Sequence, residues 1–110
     1  MFIYLIYHSL GKANIIEHLT LTTTSAAAVS DSFSTIDVDS AKDLLIQNMT
    51  DADCYITLGL AAVVATSDHT LLPAKSHIAI CGAAFSFFSV IRATATNVTV
   101  RITGLGRDSS

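Results

Sequence analysis

The chain has 110 residues, of which 51% are hydrophobic and only 14% charged, with a net charge of −3 at neutral pH. This length suits one domain with a modest core. The six Lys and Arg residues are spread singly, which excludes a basic patch for nucleic acid, and the charged share falls well below the usual quarter or so, as expected of a surface covered by other chains.

Residues 1–18 read as an N-terminal apolar arm. The run Met1-Phe2-Ile3-Tyr4-Leu5-Ile6-Tyr7 is seven residues long, whereas a helix needs about 20 to span a membrane. The first basic residue, Lys12, follows the run instead of preceding it, so a secretory leader is not expected either. Gly11-Lys12-Ala13-Asn14 is a hinge-like break. Phe2, Ile3, Tyr4, Leu5, Ile6 and Tyr7 are therefore candidate interface residues, expected to pack on a neighbouring subunit.

From residue 19 to residue 106 apolar and polar residues alternate with the period of β-strands. The Thr-rich stretch Leu19–Val29 predicts an edge strand followed by a loop, flat and uncharged enough to need cover. Ser34–Asp39 places Ile36 and Val38 inward. Asp39 or Ser40 could cap one helical turn, after which Leu44–Asn48 reads as a strand. Asn48–Asp53 gathers turn formers, and Cys54–Leu58 alternates with Cys54, Ile56 and Leu58 inward. Ala61–Ala65 is read as extended. Ser76–Cys81, Ser86–Ala93 and Asn97–Thr103 complete the series, the last two joined as a predicted hairpin through Ala93–Thr96. Gly104-Leu105-Gly106 is expected to end the final strand, leaving 107–110 as a polar tail. Seven or eight short strands imply an all-β fold, a small antiparallel β-sandwich or barrel (residues 19–106).

Few side chains suggest chemistry. Asp68 and His69 could be a base and its orienting carboxylate, but neighbours on an extended chain point to opposite sides, and Ser67-Asp68 before Pro73 reads as a polar turn. His8, His18, His69 and His77 lack zinc-ligand spacing, and His77 alternates outward. Cys54 (inward) and Cys81 (outward) are expected as free thiols. Phe85, Phe87 and Phe88 form an aromatic cluster in which one of the adjacent rings faces the core and the other faces away, so Phe87 and Phe88 join the candidate interface. The glycine segments lack the strand–helix setting of a phosphate loop. No catalytic residue, metal or cofactor is expected.

The stretch Leu45–Gly106 as a whole has Asn48 after an apolar strand, then Tyr55-Ile56-Thr57-Leu58-Gly59. It continues with Ser67-Asp68-His69-Thr70-Leu71-Leu72-Pro73-Ala74 and Asn97-Val98-Thr99-Val100-Arg101-Ile102-Thr103-Gly104-Leu105-Gly106. This pattern resembles small virion structural proteins of tailed bacteriophages, with one departure, Lys75 where a glycine is usual. The resemblance implies a non-enzymatic virion protein, foremost a capsid decoration or cement protein that binds the major capsid protein or other virion proteins and itself. Its place would be the virion, assembled in the host cytoplasm. The alternative is a carbohydrate- or receptor-binding β-sandwich module of a tail or fibre.

Overall fold

Alternating short apolar and polar residues, broken by turns, build eight strands in the computed structural model, which describes residues 16–34 and 42–106. They are β1 (Ile16–Thr22), β2 (Val29–Ser32), β3 (Lys42–Asn48), β4 (Cys54–Gly59), β5 (Thr70–Leu72), β6 (His77–Ala83), β7 (Phe87–Arg92) and β8 (Thr99–Gly106). They form two antiparallel four-stranded sheets, ordered β1-β8-β3-β6 and β2-β7-β4-β5. That order is the double-sheet jelly roll, and the described residues contain no helix. The all-β sandwich read from the sequence is the architecture found.

The inward faces meet in one core. β8 contributes Val100 and Ile102, β3 Leu44 and Ile46, β4 Cys54 and Ile56, and β7 Phe88 and Val90, all fully buried. Phe88 packs edge-to-face on Phe33, with centroids 5.0 Å apart and planes at 72°. Phe88 is therefore accounted for by its own core, and only Phe87 of the pair reaches the surface.

Several local expectations need correction. β7 and β8 are no hairpin, because they lie in different sheets. Residues 93–98 instead cross from one sheet to the other, held where Arg92 Nη1 donates to Asn97 Oδ1 (2.7 Å) and Val98 N donates to Thr23 Oγ1 (2.9 Å). Gly104 and Leu105 do not end β8. They pair with Glu17 and Ile16 on one side and with Leu44 and Asp43 on the other. Lys42 and Asp43, placed in a helical turn by their sequence, open β3. Ala61–Ala65 is a loop and not a strand. It lies over the outer face of β7, where Ala65 N donates to the buried Ser89 Oγ (2.8 Å) and Ser89 Oγ donates to the Val29 carbonyl (3.2 Å). Gly59 permits this return, since a Cβ there would run into Val63 and the Ala61 carbonyl. The Leu19–Val29 stretch behaves as expected, with β1 at a sheet edge followed by a loop. Residues 16–18, grouped with the arm in the sequence, belong to β1. The rest of the arm, with Phe2, Ile3, Tyr4, Leu5, Ile6 and Tyr7, and the 35–39 part of the Ser34–Asp39 strand lie outside the described residues.

Asn48 closes one end of the sandwich. Its side chain continues the inward row of β3 after Leu44 and Ile46, so an amide meets the core where the chain leaves one sheet for the other. Nδ2 donates to the carbonyls of Ala52 (2.8 Å), Leu72 (3.2 Å) and Pro73 (3.2 Å), while Oδ1 accepts from Thr50 N (3.0 Å). Replacing Asn48 with Ala leaves these groups to find other partners and should cost about 2–3 kcal/mol, a large part of a total stability of roughly 5–15 kcal/mol. Urea unfolding should show this as a lower midpoint with an unchanged slope.

Both cysteines are free, Cys54 buried and Cys81 exposed. Burial, reinforced by the Asp53 carboxylate, pushes the Cys54 thiol from 9.0 up to about 11. At pH 8 an alkylating reagent should modify one thiol per folded chain, Cys81, and reach Cys54 only after unfolding, as read by mass. Because folding favours the protonated Cys54, its contribution is complete below about pH 9 and is lost as the pH rises through about 11. Melting temperatures in alkaline buffer should fall less steeply in Cys54→Ala than in the unaltered chain.

Candidate functional site

β5 has only three residues and covers only the first half of β4, pairing with Cys54, Tyr55 and Ile56. Beyond it, Thr57, Leu58 and Gly59 pair with β7 on one side and, among the described residues, with no strand on the other. β6 is the edge strand of the facing sheet. Two unpaired sheet edges thus flank a gap on this side of the sandwich, while β1 and β2 adjoin on the opposite side.

The gap is a cleft of about 400 Å³. Ile46, Ile56, Leu58, Ile78, Ile80 and Phe85 line its interior, and Thr57, His69 and Thr70 its rim. The apolar lining follows from strand alternation, which turns Ile78 and Ile80 of β6 inward, beside Ile46 of the adjoining β3 and facing Ile56 of β4 across the sandwich. A bulge shapes the far end of β6: Lys42 pairs with Ala83 but Leu44 with Ile80, so β6 carries one extra residue. Gly82 supplies the positive φ of 69° that this bulge needs, and its N–H donates to Asp43 Oδ1 (3.0 Å). At the same end Lys42, fully buried, donates from Nζ to the Phe85 carbonyl (3.3 Å).

His69 is the titratable side chain among the described lining residues. Its Nδ1 accepts from Thr66 N (2.9 Å), and the His69 backbone N–H donates to the Thr66 carbonyl (3.1 Å). The ring is therefore engaged in the 66–69 turn, as the turn reading of Ser67-Asp68 anticipates, while Thr70–Leu72, not expected as a strand, forms β5. Among the described residues no three His, Cys, Asp or Glu side chains come together. The cleft offers apolar area and main-chain edges, an arrangement suited to an extended apolar segment.

The three rings of the aromatic cluster part company. Phe88 is in the core, Phe85 lines the cleft and Phe87 is half-buried on the outer side of β7. In the sequence Ile78 and Ile80 look like ordinary core residues. The signal that could have revealed the cleft is the brevity of the apolar run Thr70–Leu72, too short to shield all of β4.

No protein-family model and no curated protein matches this chain. Among solved structures, its fold is similar to that of a Cupin 2 conserved barrel domain protein from Salinispora arenicola, with a TM-score of 0.50 and 9% identity over 88% of this chain and 66% of that one. A cupin protein from Bacteroides fragilis is similar at a TM-score of 0.49 and 11% identity, over 86% of this chain and 67% of that one. A protein of Bacillus endospore appendages, described as disulfide-linked pili, is similar at 0.49 and 10% identity, over 86% and 88%. The chain spans about two thirds of the length of these two cupin structures. The likeness is one of fold, a cupin-like double-sheet barrel.

Replacing Asp68 and His69 together with Ala should lower stability by at most about 1 kcal/mol, the worth of exposed turn contacts. Thermal melting of the double variant checks this, and a larger loss would assign the turn a greater structural role.

Proposed function

We propose that this chain is a non-enzymatic building block of a virion, a protein that binds capsid or other virion proteins and further copies of itself. Decoration or cementing of a capsid is the role in view. One observation carries this reading: the chain has few charges to offer its surface, and large apolar side chains stand exposed on it. Only 14% of the residues are charged, and two of those, Lys42 and Asp43, are buried. Leu60 and Val64 meanwhile stand 69% and 67% exposed on the loop over β7. Such a surface suits cover by protein neighbours. Jelly rolls also serve in viral capsids, lectins and cupins, so the fold is compatible with the reading without selecting it.

A second reading, a carbohydrate- or receptor-binding module of a tail or fibre, is favoured by the polar rim of Thr57, His69 and Thr70 around a cleft whose size suits a small ligand.

Size-exclusion chromatography and negative-stain imaging of the purified chain should show defined oligomers, and incubation with capsid shells lacking it should give saturable binding. A chain that stays monomeric at about 100 μM, well above ordinary assembly affinities, and ignores the shells would overturn the assembly reading. Selective retention on a glycan array would favour the module.

A further inference from the structure

We infer that the cleft between β4 and β6 receives residues 1–7 of a neighbouring copy as an added strand; this rests on the assembly reading above. The acceptor has the needed form. Its interior is apolar, through Ile56, Leu58, Ile78 and Ile80. It is flanked by the outer edge of β6 and by the 57–59 edge of β4, both unpaired by any described strand, and each edge can take main-chain hydrogen bonds from an extended segment.

The donor fits it in length and polarity. Met1–Tyr7 holds seven residues without a charged side chain, enough to cover β6 up to its bulge at Cys81–Gly82. At about 3.3 Å per residue the run reaches roughly 23 Å as a strand. Both of its alternating faces are apolar, Phe2, Tyr4 and Ile6 on one and Ile3, Leu5 and Tyr7 on the other. That is the pattern of a strand covered on both sides, here by the interior of the acceptor and by the surrounding assembly.

Topology disposes the exchange to be intermolecular. The arm precedes β1, and β1 and β6 are opposite edges of one sheet, with β8 and β3 between them. The start of β1 and the acceptor cleft therefore lie on opposite sides of the same molecule, and an arm must round the sheet to reach its own cleft. Contacts of this head-to-tail kind close into a ring or continue as a filament.

The test uses full-length chains carrying Cys81→Ser, with the buried Cys54 retained. One population carries Tyr4→Cys, Leu5→Cys or Ile6→Cys singly, and the other carries Thr57→Cys. If Thr57→Cys impairs folding, Thr70→Cys on the exposed rim replaces it. After mixing and mild oxidation, a disulfide between the two populations at one or more arm positions is expected. Adding Leu5→Asp to the Tyr4→Cys or Ile6→Cys chain should cut the cross-link yield more than about tenfold, because it buries a carboxylate.

Oligomers that form without any cross-link, or with a yield that Leu5→Asp leaves unchanged, would overturn the inference while leaving the assembly reading intact. A bridge within one chain that carries both cysteines, at high dilution, would also overturn it by placing the arm in its own cleft. Absence of any oligomer would remove the assembly reading, and this inference with it.

Discussion

The Asn48 side chain is the contact on which the arrangement of the two sheets depends. A jelly roll must pass its chain repeatedly from sheet to sheet, and each passage brings polar backbone to the rim of an apolar core. One amide at the end of β3 engages carbonyls of the 49–53 connection and of the β5–β6 turn. The connection is also tied to β8, through Met49 N to the Thr99 carbonyl and Thr99 N to Thr50 Oγ1 (2.9 and 2.7 Å). Strands far apart in sequence thus converge on one residue. The closed end this creates leaves the opening at the other end of β4, where β5 has stopped.

Polarity is divided among the faces in a related way. The outer face of the β1-β8-β3-β6 sheet carries cross-strand polar pairs, Thr22 with Thr99 (3.1 Å) and His18 with Thr103 (3.2 Å), so it can stand in water. The outer face of the other sheet has Ser89, too small and too polar to form an apolar layer, and the 60–66 loop covers it. Among the described residues, only the side between β4 and β6 combines apolar walls with open backbone.

Much of the fold was legible in the residues. Alternation in Val98, Val100 and Ile102 and in Cys54, Ile56 and Leu58 set the correct inward faces, because a strand with one buried side permits only one register. The pairing of β7 with β8 was misread because Ala93–Thr96 has the length of a hairpin loop, and local sequence does not record that Arg92, Asn97 and Thr23 fasten it as a crossing. Lys42 and Asp43 were misread because charged residues seldom open a strand inside a core. Lys75 adopts a φ of 59°, the left-handed conformation that glycine takes most readily. Of the cleft only the brevity of the 70–72 run was legible; the opening itself depends on where β5 ends relative to β4, a property of two strands and of neither alone.

The extra residue in β6 has a consequence for growth. An edge of seven regular residues would invite any passing strand to pair along its whole length, with sliding registers and no defined end. The Cys81–Gly82 bulge turns the backbone out of line before the strand finishes, and Asp43 of the paired β3 holds it there through the Gly82 N–H. A ladder started at His77 therefore meets a stop after a few rungs. That stop can index a guest strand to one position and keep edge pairing from running on into indefinite stacks of sheets.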